Sequence, residues 1–86
     1  MHLLLIYDIA NDRIRGRVAN ACLDYGLDRI QLSAFYGQLS RTNQEELILR
    51  VKSLLGQESG NVQLIPISAA DWNKRLEIQN HAGATD

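Results

Sequence analysis

The chain predicts an α+β fold: a β-α-β-β-α-β sandwich of the ferredoxin-like kind with an additional C-terminal strand. Three observations carry this. The first strand run is apolar on both faces, two segments with a helical apolar stripe alternate with short strand runs, and each of those segments ends at a glycine. At 86 residues the chain is one domain near the small end of what a single core supports. Residues 1–80 are expected to form it, with 81–86 as a flexible C-terminal tail.

Residues 2–9, HLLLIYDI, read as a strand whose alternating sets are both apolar: Leu4 and Ile6 on one face, Leu3, Leu5, Tyr7 and Ile9 on the other. That pattern belongs to the centre of a sheet covered on both sides. In NDRIRGRVANACLDYG, the positions Ile14, Val18, Ala21, Cys22 and Tyr25 line up on one helical stripe. Asn11 or Asp12 suits the N-cap, and Gly26 stands where a C-terminal glycine belongs. DRIQLSAFYGQL alternates, with Ile30, Leu32 and Ala34 pointing one way and Arg29, Gln31, Ser33 and Phe35 the other. Gly37 predicts a kink or bulge dividing this stretch into two strands.

A second helix is expected to begin near Thr42, with Glu45 completing a capping box. Leu47, Ile48, Val51, Leu54 and Leu55 form its apolar face and Gly56 stops it. NVQLIPI is a strand; Pro66 cannot donate to a ladder, so the strand is at an edge or Pro66 near its end. After SAADWN, the run KRLEIQ reads as the additional strand. With both helices on one sheet face, the other carries an apolar set of the first strand together with Phe35 and needs a cover. A second copy of the same sheet is the simplest one, so a homodimer is expected.

Composition narrows the function classes without choosing one. No segment approaches the roughly 20 apolar residues of a membrane span, and no basic stretch precedes the short N-terminal apolar run. A cytoplasmic protein without a membrane partner is expected. The single cysteine, Cys22, cannot form an internal disulfide, and no cysteine-histidine cluster suggests zinc. The net charge of −1 is no general argument for nucleic acid, so only a local basic patch could supply one.

Asp8 is the residue that demands an explanation, because a carboxylate in an apolar run is costly unless paired, metal-bound or at an element's end. It is either a turn or capping residue, or a ligand for a hard divalent ion such as magnesium. One aspartate is a poor site alone, but a two-fold axis nearby would supply two. Arg13, Arg15 and Arg17 crowd the start of the first helix, where cations oppose the helix dipole. They suit phosphate oxygens or, equally, a solvated face balanced by Asp12 and Asp24. Arg29, on the strand face of Phe35, is an interface residue or a second phosphate contact. Tyr7 can donate a hydrogen bond near Asp8 or simply pack; Phe35 reads better as an interface anchor than as a stacking platform.

LLIYDIANDRIRGRVANACLDYGLDRIQLSAFYGQL resembles the CRISPR-associated protein 2 family almost from end to end. An apolar strand ends in Tyr-Asp-Ile, a polar turn and an arginine-bearing helix follow, and Gly26, Leu27, Arg29, Ile30, Gln31, Ser33, Phe35, Gly37 and Leu39 match the next strand pattern. VQLIPIS and the later RLEIQ look like the family's last two strands. The resemblance implies a ferredoxin-like homodimer in CRISPR adaptation that binds nucleic acid and bridges copies of the CRISPR-associated protein 1 integrase. It also implies a metal-dependent endonuclease on RNA or double-stranded DNA. In it Asp8 would be the catalytic residue and ligand of Mg2+ or Mn2+, with Tyr7 beside it. Arg15, Arg17 and Arg29 would bind nucleic acid, and Phe35 matches a further position of that set. Many relatives carry acidic residues where this chain has Tyr36 and Gln38. The alternatives are a non-catalytic DNA-binding adaptor and a small-molecule regulatory dimer with an apolar ligand cleft.

Overall fold

The computed structural model describes residues 1–80; the expected tail, 81–86, lies outside the described residues. The chain runs β1 (His2–Ile9), α1 (Asp12–Asp24), β2 (Asp28–Gln31), β3 (Ala34–Gln38), α2 (Arg41–Leu55), β4 (Gly60–Pro66) and α3 (Ala69–Asn73). The strands form one antiparallel sheet in the order β2-β3-β1-β4. This is the ferredoxin-like arrangement the sequence predicts.

Strand β1 is central because both of its neighbours need it. Leu5 lies opposite Phe35 on β3 and Leu64 on β4, and Leu3, Leu5, Tyr7 and Ile9 are all buried. Against them pack Val18, Ala19, Ala21 and Cys22 of α1 with Leu47 and Val51 of α2. Burial pushes the Cys22 thiol from 9.0 up to about 11, so it stays protonated and inert at neutral pH. Asn11 caps α1 by accepting from the Ile14 amide at 3.0 Å, and Gly26 leaves it at φ +83°.

The structure corrects four details. Phe35 is fully buried in the helix-covered core, because the residue opposite Leu5 must share its face; it is not an anchor on the open face. The break between β2 and β3 falls at Leu32–Ser33 rather than at Gly37, with a bulge between Arg29 and Gln31 that leaves Ile30 unpaired. Gly37 instead admits Leu27, whose Cδ2 would lie 2.6 Å from a Cβ built there. Helix α2 is capped by Ser40, which accepts from the Asn43 amide at 3.1 Å, while Glu45 pairs with Arg41 at 3.7 Å.

The fourth correction is the additional strand. Residues 74–79 form no strand in this chain. After β4, Ser68 caps the short α3, which lays Trp72 on Tyr36 with ring centroids 3.6 Å apart and the planes 5° from parallel. Tyr36 in turn bonds His2 Nδ1 at 2.8 Å, and Arg75 lies over the Trp72 ring at 3.9 Å. Leu76 and Ile78 are left 98% and 92% exposed. A strand needs a ladder partner, and although Arg75, Leu76 and Glu77 lie near Ile30 and Gln31 of the edge strand β2, the segment pairs with no strand. Pro66 is both the last residue of its strand and on an edge, so the two sequence-based expectations hold together.

Candidate functional site

Alternation along β1 decides what surrounds Asp8. Leu4, Ile6 and Asp8 point to the sheet face opposite α1 and α2, and Asp8 is exposed opposite Asn61 at the strand's end. Among the described residues its carboxylate takes part in no hydrogen bond or salt bridge. It neither caps α1, a task Asn11 performs, nor offsets a neighbouring cation by direct contact. A cavity of about 390 Å³ opens here, lined by Asp8, Ile9, Arg15, Arg29, Leu32 and Ser33.

Two arginines frame this mouth from different elements. Arg15, one turn into α1, reaches back to the end of β1, donating to the Ile9 carbonyl at 3.0 Å and pairing with Asp12. Arg29 reaches across from β2 and donates to the Leu32 carbonyl through Nε at 3.2 Å and Nη2 at 2.8 Å. The hairpin tip is held against β1 by the Tyr7 amide, which donates to the Ser33 carbonyl at 3.1 Å. Strand end, helix start and hairpin tip therefore meet at one place. Their side chains present one carboxylate and two guanidinium groups, with Ser33 in the lining.

The remaining expected site residues fall elsewhere. Tyr7 neighbours Asp8 in sequence but points to the opposite sheet face, where it is 5% exposed and donates from Oη to the Leu32 carbonyl at 3.2 Å. Burial pushes its phenol above the ordinary 10.0, with the Arg29 cation pulling the other way, so at neutral pH it is an O–H donor and not a base. Its hydroxyl therefore does not stand beside the Asp8 carboxylate. Arg17 lies apart with Asn20, Asp24, Arg50 and Leu54 on the α1–α2 surface. Arg15 and Arg17 are two residues apart on a helix and cannot face the same way. Sequence reasoning does not reach Ser33 or the Leu32 carbonyl as site groups; Ser33 enters there only as a member of the polar alternating set and of the matched strand pattern.

A hard divalent cation takes several oxygen ligands. Among the described residues no three histidine, cysteine, aspartate or glutamate side chains cluster to hold one, and two arginines line the mouth. One chain by itself does not fit such an ion.

Fold and mouth together define a small ferredoxin-like α+β protein with one carboxylate and two guanidinium groups gathered at the end of its first strand. The chain belongs to the CRISPR associated protein Cas2 family, whose model matches residues 1–75. A Chloroflexus aurantiacus protein named CRISPR-associated endoribonuclease Cas2 2 is 52% identical over 79 residues, covering 92% of this chain and 93% of that one. A Thermoproteus tenax protein named CRISPR-associated endonuclease Cas1/endonuclease Cas2 fusion is 28% identical over 78 residues, 91% of this chain and 30% of that one. The crystal structure of Streptococcus pyogenes Cas2 superposes with a TM-score of 0.79 at 21% identity, covering 93% of this chain and all of that one, which shows the shared fold. Among the described residues no helix is long and apolar enough to cross a membrane.

Proposed function

We propose that this chain is a CRISPR-associated endonuclease that acts as a homodimer on a phosphodiester of RNA or double-stranded DNA. The observation that carries this is the mouth in which an exposed, unpaired Asp8 carboxylate stands with Arg15 and Arg29. The 52% identical relative named an endoribonuclease supports it. A second copy packed on the open sheet face, where Leu4 and Ile6 are half-buried and Ile65 is 37% exposed, would bring a second Asp8. The two carboxylates would together hold Mg2+ or Mn2+, which one cannot. When bound, the ion supplies an activated water and offsets charge on the phosphate. The chain's own contribution is positional: Arg15 and Arg29 hold the phosphate oxygens with forked, charge-assisted hydrogen bonds.

The test is cleavage of RNA and duplex DNA with magnesium, manganese or chelator by the wild type and Asp8→Asn. The substitution keeps the side chain's shape and removes its charge, so cleavage falls to background while nucleic-acid binding persists. Undiminished cleavage by Asp8→Asn sinks the proposal.

A second reading is a non-catalytic adaptor in which the same dimer carries DNA to the CRISPR-associated protein 1 integrase. The lone carboxylate of each chain favours it, and the relative named a Cas1/Cas2 fusion supports association with that integrase. Under it, Asp8→Asn leaves spacer integration intact.

A further inference from the structure

The Leu32 carbonyl oxygen is the busiest acceptor beside the mouth. It receives Arg29 Nη2 at 2.8 Å, Arg29 Nε at 3.2 Å and Tyr7 Oη at 3.2 Å. A carbonyl oxygen offers two lone pairs, so the guanidinium fork takes one side and the phenol the other. Both donors lie against the Phe35 ring. Tyr7 is 5% exposed and its ring stacks on Phe35 with centroids 6.2 Å apart, while Arg29 Cζ lies 5.3 Å from the centre of that same Phe35 ring.

The turn is tied to β1 next door, by the Tyr7 amide on the Ser33 carbonyl, while the Leu32 carbonyl itself meets the Arg29 and Tyr7 side chains. Leu32 is 82% exposed at the tip of the hairpin, so burial does not anchor the turn. No residue there adopts positive φ, so the turn lacks the left-handed geometry that locks tight hairpins. A phenylalanine at position 7 would fill the core as well as tyrosine does. The buried hydroxyl is costly without a partner, and Leu32 is the partner it has.

We infer that Tyr7 is a positioning residue: its hydroxyl fixes the Leu32 carbonyl, and through that carbonyl the direction in which Arg29 presents its guanidinium to the Asp8 mouth. This rests on the reading of the mouth as a phosphodiester site. An arginine loses rotamer freedom whenever it grips a ligand. Holding it in place beforehand removes part of that cost from binding. It also accounts for a tyrosine next to Asp8 that points away from it.

Tyr7→Phe removes one oxygen and leaves the ring's packing in place. In the protein alone, NMR of the Arg29 Nε–H shows slow solvent exchange in the wild type and exchange faster by about tenfold in Tyr7→Phe, while the exposed Arg17 signal is unchanged. A folded Tyr7→Phe protein with an unaltered Arg29 signal overturns the inference, whatever the mouth binds. The second measurement is a double-mutant cycle on duplex and RNA affinity. Tyr7→Phe weakens binding several-fold when Arg29 is present and adds nothing in the Arg29→Ala background. An equal further loss in that background also overturns the inference, because Tyr7 would then act without Arg29. If Arg29→Ala binds as tightly as the wild type, the phosphodiester reading of the mouth fails, and the NMR result still decides whether Tyr7 positions Arg29.

Discussion

Arg15, Arg17 and Arg29 look alike in the sequence, yet the structure gives them different surroundings. Arg15 and Arg29 border the Asp8 mouth, and both are partly engaged by backbone carbonyls. Arg17 stands on the α1–α2 surface near the Arg50–Asp24 ion pair. A phosphate bound at the mouth therefore touches the first two and not the third. Replacing Arg15 or Arg29 by alanine is expected to lower nucleic-acid affinity for every sequence alike and to reduce the salt dependence by about one unit for each phosphate no longer neutralised. Arg17→Ala is expected to leave the slope near the wild-type value. Titrations across salt concentrations decide this, and equal slopes for all three variants would place the phosphate elsewhere. The arginine cluster is legible in the sequence. Its division is not, because the direction of a side chain depends on helix phase and on which elements lie beside it.

The elements show how a local signal can be right about existence and wrong about cause. The alternation predicts two strands between α1 and α2, and two are present. The sequence points to Gly37 as the residue dividing them, yet Gly37 lies within β3 opposite Leu3 and gives way to Leu27. Gly37→Ala forces a contact of 2.6 Å with Leu27 Cδ2 and 3.3 Å with its Cα, so it should destabilise the fold by roughly 1–2 kcal/mol. Gly16, within α1, has no atom within 4 Å of a built Cβ. Gly16→Ala should stabilise by roughly 0.5–1 kcal/mol through helix propensity alone. Urea unfolding of the two variants reads both signs; destabilisation by Gly16→Ala would show that α1 has a neighbour at that position.

At the scale of the whole molecule, one sheet face is covered and the other is only partly so. Helices α1 and α2 bury one set of β1 side chains, while Trp72 covers Tyr36 on the other face and leaves Leu4, Ile6 and Ile65 partly open. Leu76 and Ile78 project into solvent just beyond. A second copy that uses both features explains them together. The chain is expected to sediment as two copies at micromolar concentration, and a chain ending at Asn73 to dissociate at concentrations where the longer one does not. A monomeric longer chain at that concentration would remove the dimer and the paired Asp8 carboxylates with it.

The sequence by itself determined the order of elements as far as β4, the central position of β1, the helix stripes and the family, because each is written in periodicity or in residues close along the chain. The strand-end position of Asp8 was legible for the same reason. Only the tertiary structure decided that Phe35 belongs to the core, that Tyr7 serves the Leu32 carbonyl, and that Arg15 and Arg29 share a mouth from which Arg17 is absent. Each of these depends on strand register and hairpin position, and a one-residue difference in either moves a side chain to the other face of the sheet.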